Sequence, residues 1–350
     1  MATRRKSMSI AEEDAFLHTF DELMEEIAEF STYKDMEETI EWLRRAVNYN
    51  VPGGKQIRGR GVVAAYRALV DEPDTEALKE CYILGWCIEI FHACFLISSD
   101  IIDNSETRRG RACWYLVDKI GDLAINDAFL LSSVMDIFLD RYFISKPYYS
   151  DLIKLFHDVH LKTSFGQCMD IQCSKKQSLG EFTMDQYRKI VKYKTCYLSF
   201  FLPVASAMIL AGKTEKDDWK SMEAVVIELG LLFQIQDDFL DCFGNAKVTG
   251  KIGTDITENK CSWLIVKAFE QANENQKSIL KENYGRGKES SPANEKRCRE
   301  IYESLSLPNE YNKLEEACYK SICDKISKLS PKIPSIIFSE TADVIYHRNK

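Results

Sequence analysis

Two clusters of acids end apolar helical runs in this chain. In Gln236-Asp237-Asp238-Phe239-Leu240-Asp241, Asp237 and Asp241 stand four residues apart, so their carboxylates share one helix face. The turns before them, residues 229–236, are largely apolar, which places the acids at the end of a buried helix. Carboxylates held that close repel unless a cation lies between them, and oxygen-only ligation suits Mg²⁺. The alternative is an acidic helix end facing water, which the helix dipole disfavours. In the earlier cluster, Ser98-Ser99-Asp100-Ile101-Ile102-Asp103, Asp100 and Asp103 are three apart. Arg108 and Arg109 follow it and can clamp a phosphate. Taken alone, this cluster fits a cap with a salt-bridge network equally well.

Cations elsewhere complete an anion-binding pattern. Gly53-Gly54-Lys55-Gln56-Ile57-Arg58 is a glycine loop bearing two of them, although it is not a P-loop. Lys194-Thr195 lies in an aromatic helical stretch, where a charge either meets an anion or snorkels to the surface. Lys251 and Lys260 follow the second acidic cluster. His157 and His160 are also three apart, but no third metal ligand stands near them in sequence.

Long helices must carry these groups. Apolar periodicity predicts helices over residues 11–30, 75–103, 120–144, 148–174, 184–212, 217–242 and 256–284. It also predicts one ending near Asn50 and one resuming near Arg60. Val51-Pro52-Gly53-Gly54 and residues 284–293 read as loops. Glycine and proline total 16 + 8 = 24 of 350 residues while apolar residues reach 45%, so a collagen, a disordered chain and a loop-rich β-sandwich are excluded. The expectation is one all-α domain over residues 1–350, with 1–10 disordered.

The net charge of −8 argues against a general nucleic-acid surface, which needs a basic face. No run approaches the ~18 consecutive apolar residues of a membrane span. The twelve cysteines form no CxxC pair, and most lie in apolar helices. That fits reduced, buried thiols and a reducing compartment, with the cytoplasm as the expected location. The start carries Arg4, Arg5 and Lys6 with no apolar stretch behind them, so it is not a secretory signal; an organellar transit peptide is the alternative.

The stretch FQIQDDFLDCFGNAKVTGKIGTDITENKCSW (233–263), with VPGGKQIRG (51–59), KYKT (192–195) and GQCMD (166–170), resembles the short-chain trans-isoprenyl diphosphate synthases, and their farnesyl diphosphate branch most closely. The resemblance runs from about Phe16 to Lys350. It implies the isoprenoid-synthase bundle of helices around a central cavity, with the acidic clusters facing each other at its mouth, and a homodimer. It further implies that Asp100, Asp103, Asp237 and Asp241 hold Mg²⁺, about three ions per active site. By the same resemblance Arg108, Lys194, Gln234, Lys251 and Lys260 hold an allylic diphosphate, and Lys55, Arg58, Arg109 and Thr195 hold isopentenyl diphosphate.

Several positions depart from that pattern. The first motif begins with Ser99 where the family has aspartate. His92 replaces a glutamine that touches isopentenyl diphosphate, Cys94 and Phe95 replace two aromatics, and Leu198 replaces a tyrosine. The tail reads Tyr346-His347-Arg348-Asn349-Lys350 in place of a more basic one. Because these changes gather on the isopentenyl side and in the hydrocarbon pocket, the sequence reads as a Mg²⁺-dependent terpene synthase. It would ionise farnesyl diphosphate to a sesquiterpene, as a diphosphate lyase resembling the prenyltransferase-derived terpene synthases of certain insects. The alternative is a prenyltransferase making geranyl or farnesyl diphosphate, since Lys55, Arg58 and Arg109 survive. A third reading is a catalytically weak regulatory partner, which Ser99 favours and the intact DDFLD opposes.

Overall fold

The protein is described from a computed structural model, which covers residues 8–28, 35–245, 249–250, 252–330 and 332–346. The structure is all-α. Among the described residues the only sheet is a two-residue antiparallel hairpin, β1 (Thr107–Arg108) and β2 (Arg111–Ala112). The chain forms two compact units.

The first unit comprises Met1–His157, Leu202–Trp219 and Lys332–Ile337. It holds α1 (Ile10–Ala28), α2 (Glu37–Asn50), α3 (Ile57–Leu69), α4 (Thr75–Ile102) and α5 (Leu123–Phe143). Asp74 caps α4 by accepting the Ala77 amide at 2.8 Å. Trp86 of α4 is fully buried, stacks on Phe16 of α1 at 4.7 Å and donates its indole N–H to the Phe16 carbonyl. Burying aromatics of that size stabilises by about 1.5–3 kcal/mol each. Buried Asp127 of α5 accepts indole N–H bonds from Trp42 and Trp114, both at 2.8 Å. It thereby fixes the segment just after the hairpin, whose β1 carries Arg108.

The second unit comprises Asp158–Phe201, Lys220–Pro331 and Phe338–Lys350. The chain passes through α6 (Tyr149–Ser174), α7 (Met184–Val191) and a π-helical segment (Lys192–Phe201), returns to the first unit as α8 (Leu202–Leu210), and comes back through α9 (Lys216–Phe243). Then come α10 (Trp263–Gln271), α11 (Glu274–Asn283), α12 (Pro292–Ser304), α13 (Leu307–Ile326) and α14 (Ile336–Tyr346). The core of this unit is built on Tyr187, Trp263, Tyr302 and Tyr311, with Phe239 stacked on Tyr311 at 4.0 Å.

One expected helix is broken. Residues 256–284 divide into α10 and α11 because Asn273 forms a reciprocal capping box with Gln276. Residues 255–262 are irregular: Asn259 is left-handed (φ 54°), and its side chain donates to the carbonyls of Ser174 and Lys176. The segment 184–212 is helical as expected but widens to π geometry over Lys192–Phe201, a change that periodicity does not reveal. Two stretches, Thr75–Ile102 and Met184–Leu210, are long and apolar enough to cross a membrane by composition. Each has 78% of its most apolar window buried inside the protein, which marks core helices.

Candidate active site

The first unit presents an acidic end and an arginine cluster. α4 stops at Asp103, whose amide donates back to the Ser99 carbonyl at 2.8 Å. Ser99 turns its hydroxyl to the Leu96 carbonyl. The buried carboxylate of Asp100 is gripped by Arg108, with Nε 3.1 Å from Oδ1 and Nη2 closer still. Arg109 sits at positive φ (53°) and donates one Nη1 to three successive carbonyls, of Asn50, Val51 and Pro52, at 2.9, 3.0 and 2.9 Å. Gly53 and Gly54 pass over that guanidinium at φ 90° and 67°, a conformation that side chains resist. Arg109 thus holds the loop that presents exposed Lys55 and leads into Arg58 at the start of α3.

His92 lies half-buried on α4. Its Nδ1 is shielded from solvent and has no hydrogen-bond partner. Burial, and after it the charges of Arg58, Arg109 and Arg108, hold the imidazole well below its ordinary pKa of 6.5, so the ring is neutral. Two residues on, Cys94 is buried with its thiol on the Ile90 carbonyl, and half-buried Phe95 meets Phe91 edge-on. Burial pushes the Cys94 thiol up, so it stays protonated.

In the second unit the DDFLD acids divide their work. Asp237 and Asp241 are half-buried on α9, and Asp241 Oδ2 accepts the Asp255 amide at 3.0 Å. Asp238 points into the core. Its Oδ1 accepts from Gln234 Nε2 at 2.9 Å and its Oδ2 from the Trp263 amide at 2.8 Å. Burial pushes its pKa up to about 7 against those two bonds. Gln234 in turn accepts the Thr195 hydroxyl at 2.9 Å, so Asp238 orients two of the expected diphosphate ligands.

Asp170 was not singled out from sequence, although GQCMD contained it. Its Oδ2 takes both ammonium groups, Lys194 at 2.6 Å and Lys260 at 2.8 Å. Burial opposes ionisation, but the two lysines outweigh it and lower the pKa from 3.8 to about 2. The folded-state value lies below the unfolded one. The resulting contribution, on the order of 2 kcal/mol, is therefore complete above about pH 5 and is lost as the pH falls through 4 toward 2. In melting curves, the gap between wild type and Asp170→Asn should narrow over that range; a gap constant from pH 7 to pH 3 would refute the assignment.

The π segment reaches Asp170 because two glycines admit it. A Cβ on Gly166 of α6 would stand 2.1 Å from the Lys194 amide nitrogen, and one on Gly230 of α9 would stand 2.4 Å from the Cys196 sulfur. Leu198 is 3% exposed. Lys251 and residues 347–350 lie outside the described residues.

All four candidate metal ligands are carboxylates, a hard donor set that fits Mg²⁺ and not a soft metal. Among the described residues no three His, Cys, Asp or Glu side chains already form a metal-binding group, His157 and His160 included.

The polyprenyl synthetase profile matches residues 40–305, which run through both units. The chain belongs to the polyprenyl synthetase family. Within it, this trans-isoprenyl diphosphate synthase is close to the farnesyl diphosphate synthases. It is 44% identical to farnesyl pyrophosphate synthase of Kluyveromyces lactis, over 96% of this chain and 98% of the relative. It is 40% identical to that of Gallus gallus, over 97% and 93%. A solved structure of T. brucei farnesyl diphosphate synthase complexed with risedronate covers 97% of this chain and 100% of its own, with 31% identity and a TM-score of 0.90. The fold is therefore the all-α isoprenoid-synthase fold, and members of this family use Mg²⁺.

These relatives overturn the terpene synthase reading and the lyase activity that went with it. Near-full-length similarity runs to prenyltransferases. Arg58, Arg108 and Arg109 are all retained, and Arg109 is anchored on three carbonyls.

Proposed function

We propose that this chain is a Mg²⁺-dependent prenyltransferase that condenses isopentenyl diphosphate with dimethylallyl and then geranyl diphosphate, giving farnesyl diphosphate. The observation that carries the reading is a cationic cradle in each unit: Arg109 with the glycine loop it holds, which presents Lys55 and leads into Arg58, in the first, and Lys194 with Lys260 in the second. Two anion cradles suit a reaction of two diphosphates, whereas cyclising one diphosphate needs a single cradle.

In the reaction the C–O bond of the allylic diphosphate breaks and its electron pair leaves with the diphosphate. The terminal carbon of the isopentenyl double bond then attacks the allylic cation, and a neighbouring proton is lost to the released diphosphate. Lys194 and Lys260 stabilise the charge that develops on the leaving group. Asp170 holds both ammonium groups in place. Asp100, Asp103, Asp237 and Asp241 would hold the metal, on the order of three ions. When bound, Mg²⁺ supplies Lewis-acid neutralisation of the diphosphate.

Arg109→Ala should raise KM for isopentenyl diphosphate about 10- to 100-fold while kcat changes much less, because the loss falls on binding and loop placement. Equal loss in both constants would remove Arg109 from the cradle. The reading itself is tested by isopentenyl diphosphate consumption with each allylic partner in turn; no consumption with either would end it.

We place the enzyme in a homodimer. Supporting this, Ile125 and Phe129 of α5, one turn apart, are 50% and 70% exposed, an apolar stripe of the kind that subunit interfaces bury. Sedimentation should give a dimer, and Phe129→Asp should give monomers. The cytoplasm is the proposed location, since all twelve cysteines are free thiols and most are buried.

A further inference from the structure

Two cysteines of the second unit are brought together by the bonds around them. Cys173 lies in the last turn of α6, one turn after Asp170, and Cys261 follows Lys260 in the irregular stretch before α10. Lys260 Nζ meets Asp170 Oδ2 at 2.8 Å, and the Asn259 amide donates to the carbonyls of Ser174 and Lys176 at 2.7 and 3.0 Å. The Tyr284 hydroxyl holds the Lys260 carbonyl at 2.6 Å, and Asp238 holds the Trp263 amide. Residues 259 and 260 are thus fastened to α6 on both sides of Cys173. Cys261, the next residue, donates its thiol to Cys173 within the same buried cluster. Both are free thiols, 1% and 5% exposed. Burial pushes up the thiols of Cys81, Cys87, Cys94, Cys196, Cys242 and Cys298, which leaves them inert. Cys173 goes the other way: the bond from Cys261 lowers its pKa against burial, and Lys176 adds to it. Lys175 and Gln177 are exposed, so solvent reaches to within a turn of the sulfur.

We propose that Cys173 and Cys261 are a reversible modification site: a peroxide-class oxidant joins them in a disulfide, which displaces Lys260 from Asp170 and turns the enzyme down. The Cys173 sulfur attacks one peroxide oxygen, the O–O bond breaks, and a first water leaves. The Cys261 sulfur then displaces the sulfenic oxygen, which leaves as a second water. Two thiols lose two electrons and two protons, and the peroxide is reduced to two waters. Hydrogen-bonded sulfurs must close by more than about 1 Å to reach the ~2.05 Å of a disulfide, and Lys260 adjoins the residue that moves. A shift of that size at a group aimed at the leaving diphosphate costs up to about 100-fold in rate. In a reducing compartment the bridge is transient, as redox-sensing disulfides are. The loss of activity rests on reading Lys194 and Lys260 as the allylic cradle; formation of the bridge does not.

The full-length protein is treated with hydrogen peroxide, quenched with catalase, alkylated at its remaining thiols and digested without reduction. Peptide mass spectrometry should find Cys173 joined to Cys261. Isopentenyl diphosphate consumption should fall about 10-fold or more and recover with dithiothreitol. Cys173→Ala and Cys261→Ala should keep their activity under peroxide. Cys168→Ser, at an exposed thiol of the same helix, should lose activity as wild type does. Absence of the joined peptide, an unchanged rate in bridged protein, or equal loss in the alanine variants overturns the proposal and leaves the two-substrate reading standing. If reduced wild type consumes no isopentenyl diphosphate, that reading falls instead. The proposal is then judged by the joined peptide and by the affinity for inorganic diphosphate with Mg²⁺, which oxidation should weaken about 10-fold; an unchanged affinity overturns it.

Discussion

Asp237→Ala should lower kcat more than about 1,000-fold at saturating Mg²⁺ while leaving the melting temperature within a few degrees of wild type. The neighbouring Asp238→Asn should do the reverse in kind. Asp237 is half-buried on α9 and shares a face with Asp241, so its loss removes a hard-oxygen ligand where charge develops on the leaving diphosphate. Asp238 is 5% exposed and accepts the Gln234 amide and the Trp263 backbone amide. An asparagine there leaves a buried donor without its acceptor, at about 1–3 kcal/mol. At roughly 2–4 °C per kcal/mol, that is a visible fall in melting temperature. Asp100→Ala should cost less activity than Asp237→Ala, since Ser99 already leaves the first cluster one carboxylate short. Near-normal kcat in Asp237→Ala would mean that the second cluster does not hold the metal.

Gly166→Ala is expected to be among the most damaging single methyl groups in the second unit. The added carbon would lie 2.1 Å from the Lys194 nitrogen and 2.5 Å from both Lys194 Cα and the Tyr193 carbonyl carbon. These are backbone atoms, so no rotamer change relieves the contact, and overpacking of this severity exceeds the usual ~1–3 kcal/mol. Either the π segment moves, carrying Lys194 away from Asp170, or the unit fails to fold. The soluble fraction of the variant should therefore melt at least several degrees lower and show a much reduced kcat with dimethylallyl diphosphate. A soluble, wild-type-like Gly166→Ala would contradict the close approach of α6 to the π segment.

Where the sequence was legible, the physics was local. Apolar runs closed by acids marked the ends of α4 and α9, and the spacing of Asp237 and Asp241 distinguished the outward acids from inward Asp238 only once the helix was built. The Asn273 cap was written as Asn-x-x-Gln, but continuous periodicity on both sides concealed it. The π geometry of Lys192–Phe201 depends on Gly166 and Gly230 from distant helices, and no window of the chain contains that information. Asp170 was missed for the same reason, since an acid within GQCMD becomes the anchor of two lysines only when Lys194 and Lys260 fold onto it. His92, Leu198 and the tail read, from sequence, as a shared loss on the isopentenyl side. Identity alone cannot separate a lost ligand from a substituted one, and the near-full-length similarity to farnesyl diphosphate synthases outweighs these single positions.

The most direct test of the two-cradle account is product analysis with and without the second substrate. Purified protein with Mg²⁺ is incubated either with dimethylallyl plus isopentenyl diphosphate or with farnesyl diphosphate alone, and extracts are run by gas chromatography–mass spectrometry before and after phosphatase treatment. The account predicts farnesol from the first incubation only after phosphatase treatment, and no hydrocarbon from the second. A sesquiterpene extracted directly from the farnesyl diphosphate incubation, with no farnesol from the first, would contradict it.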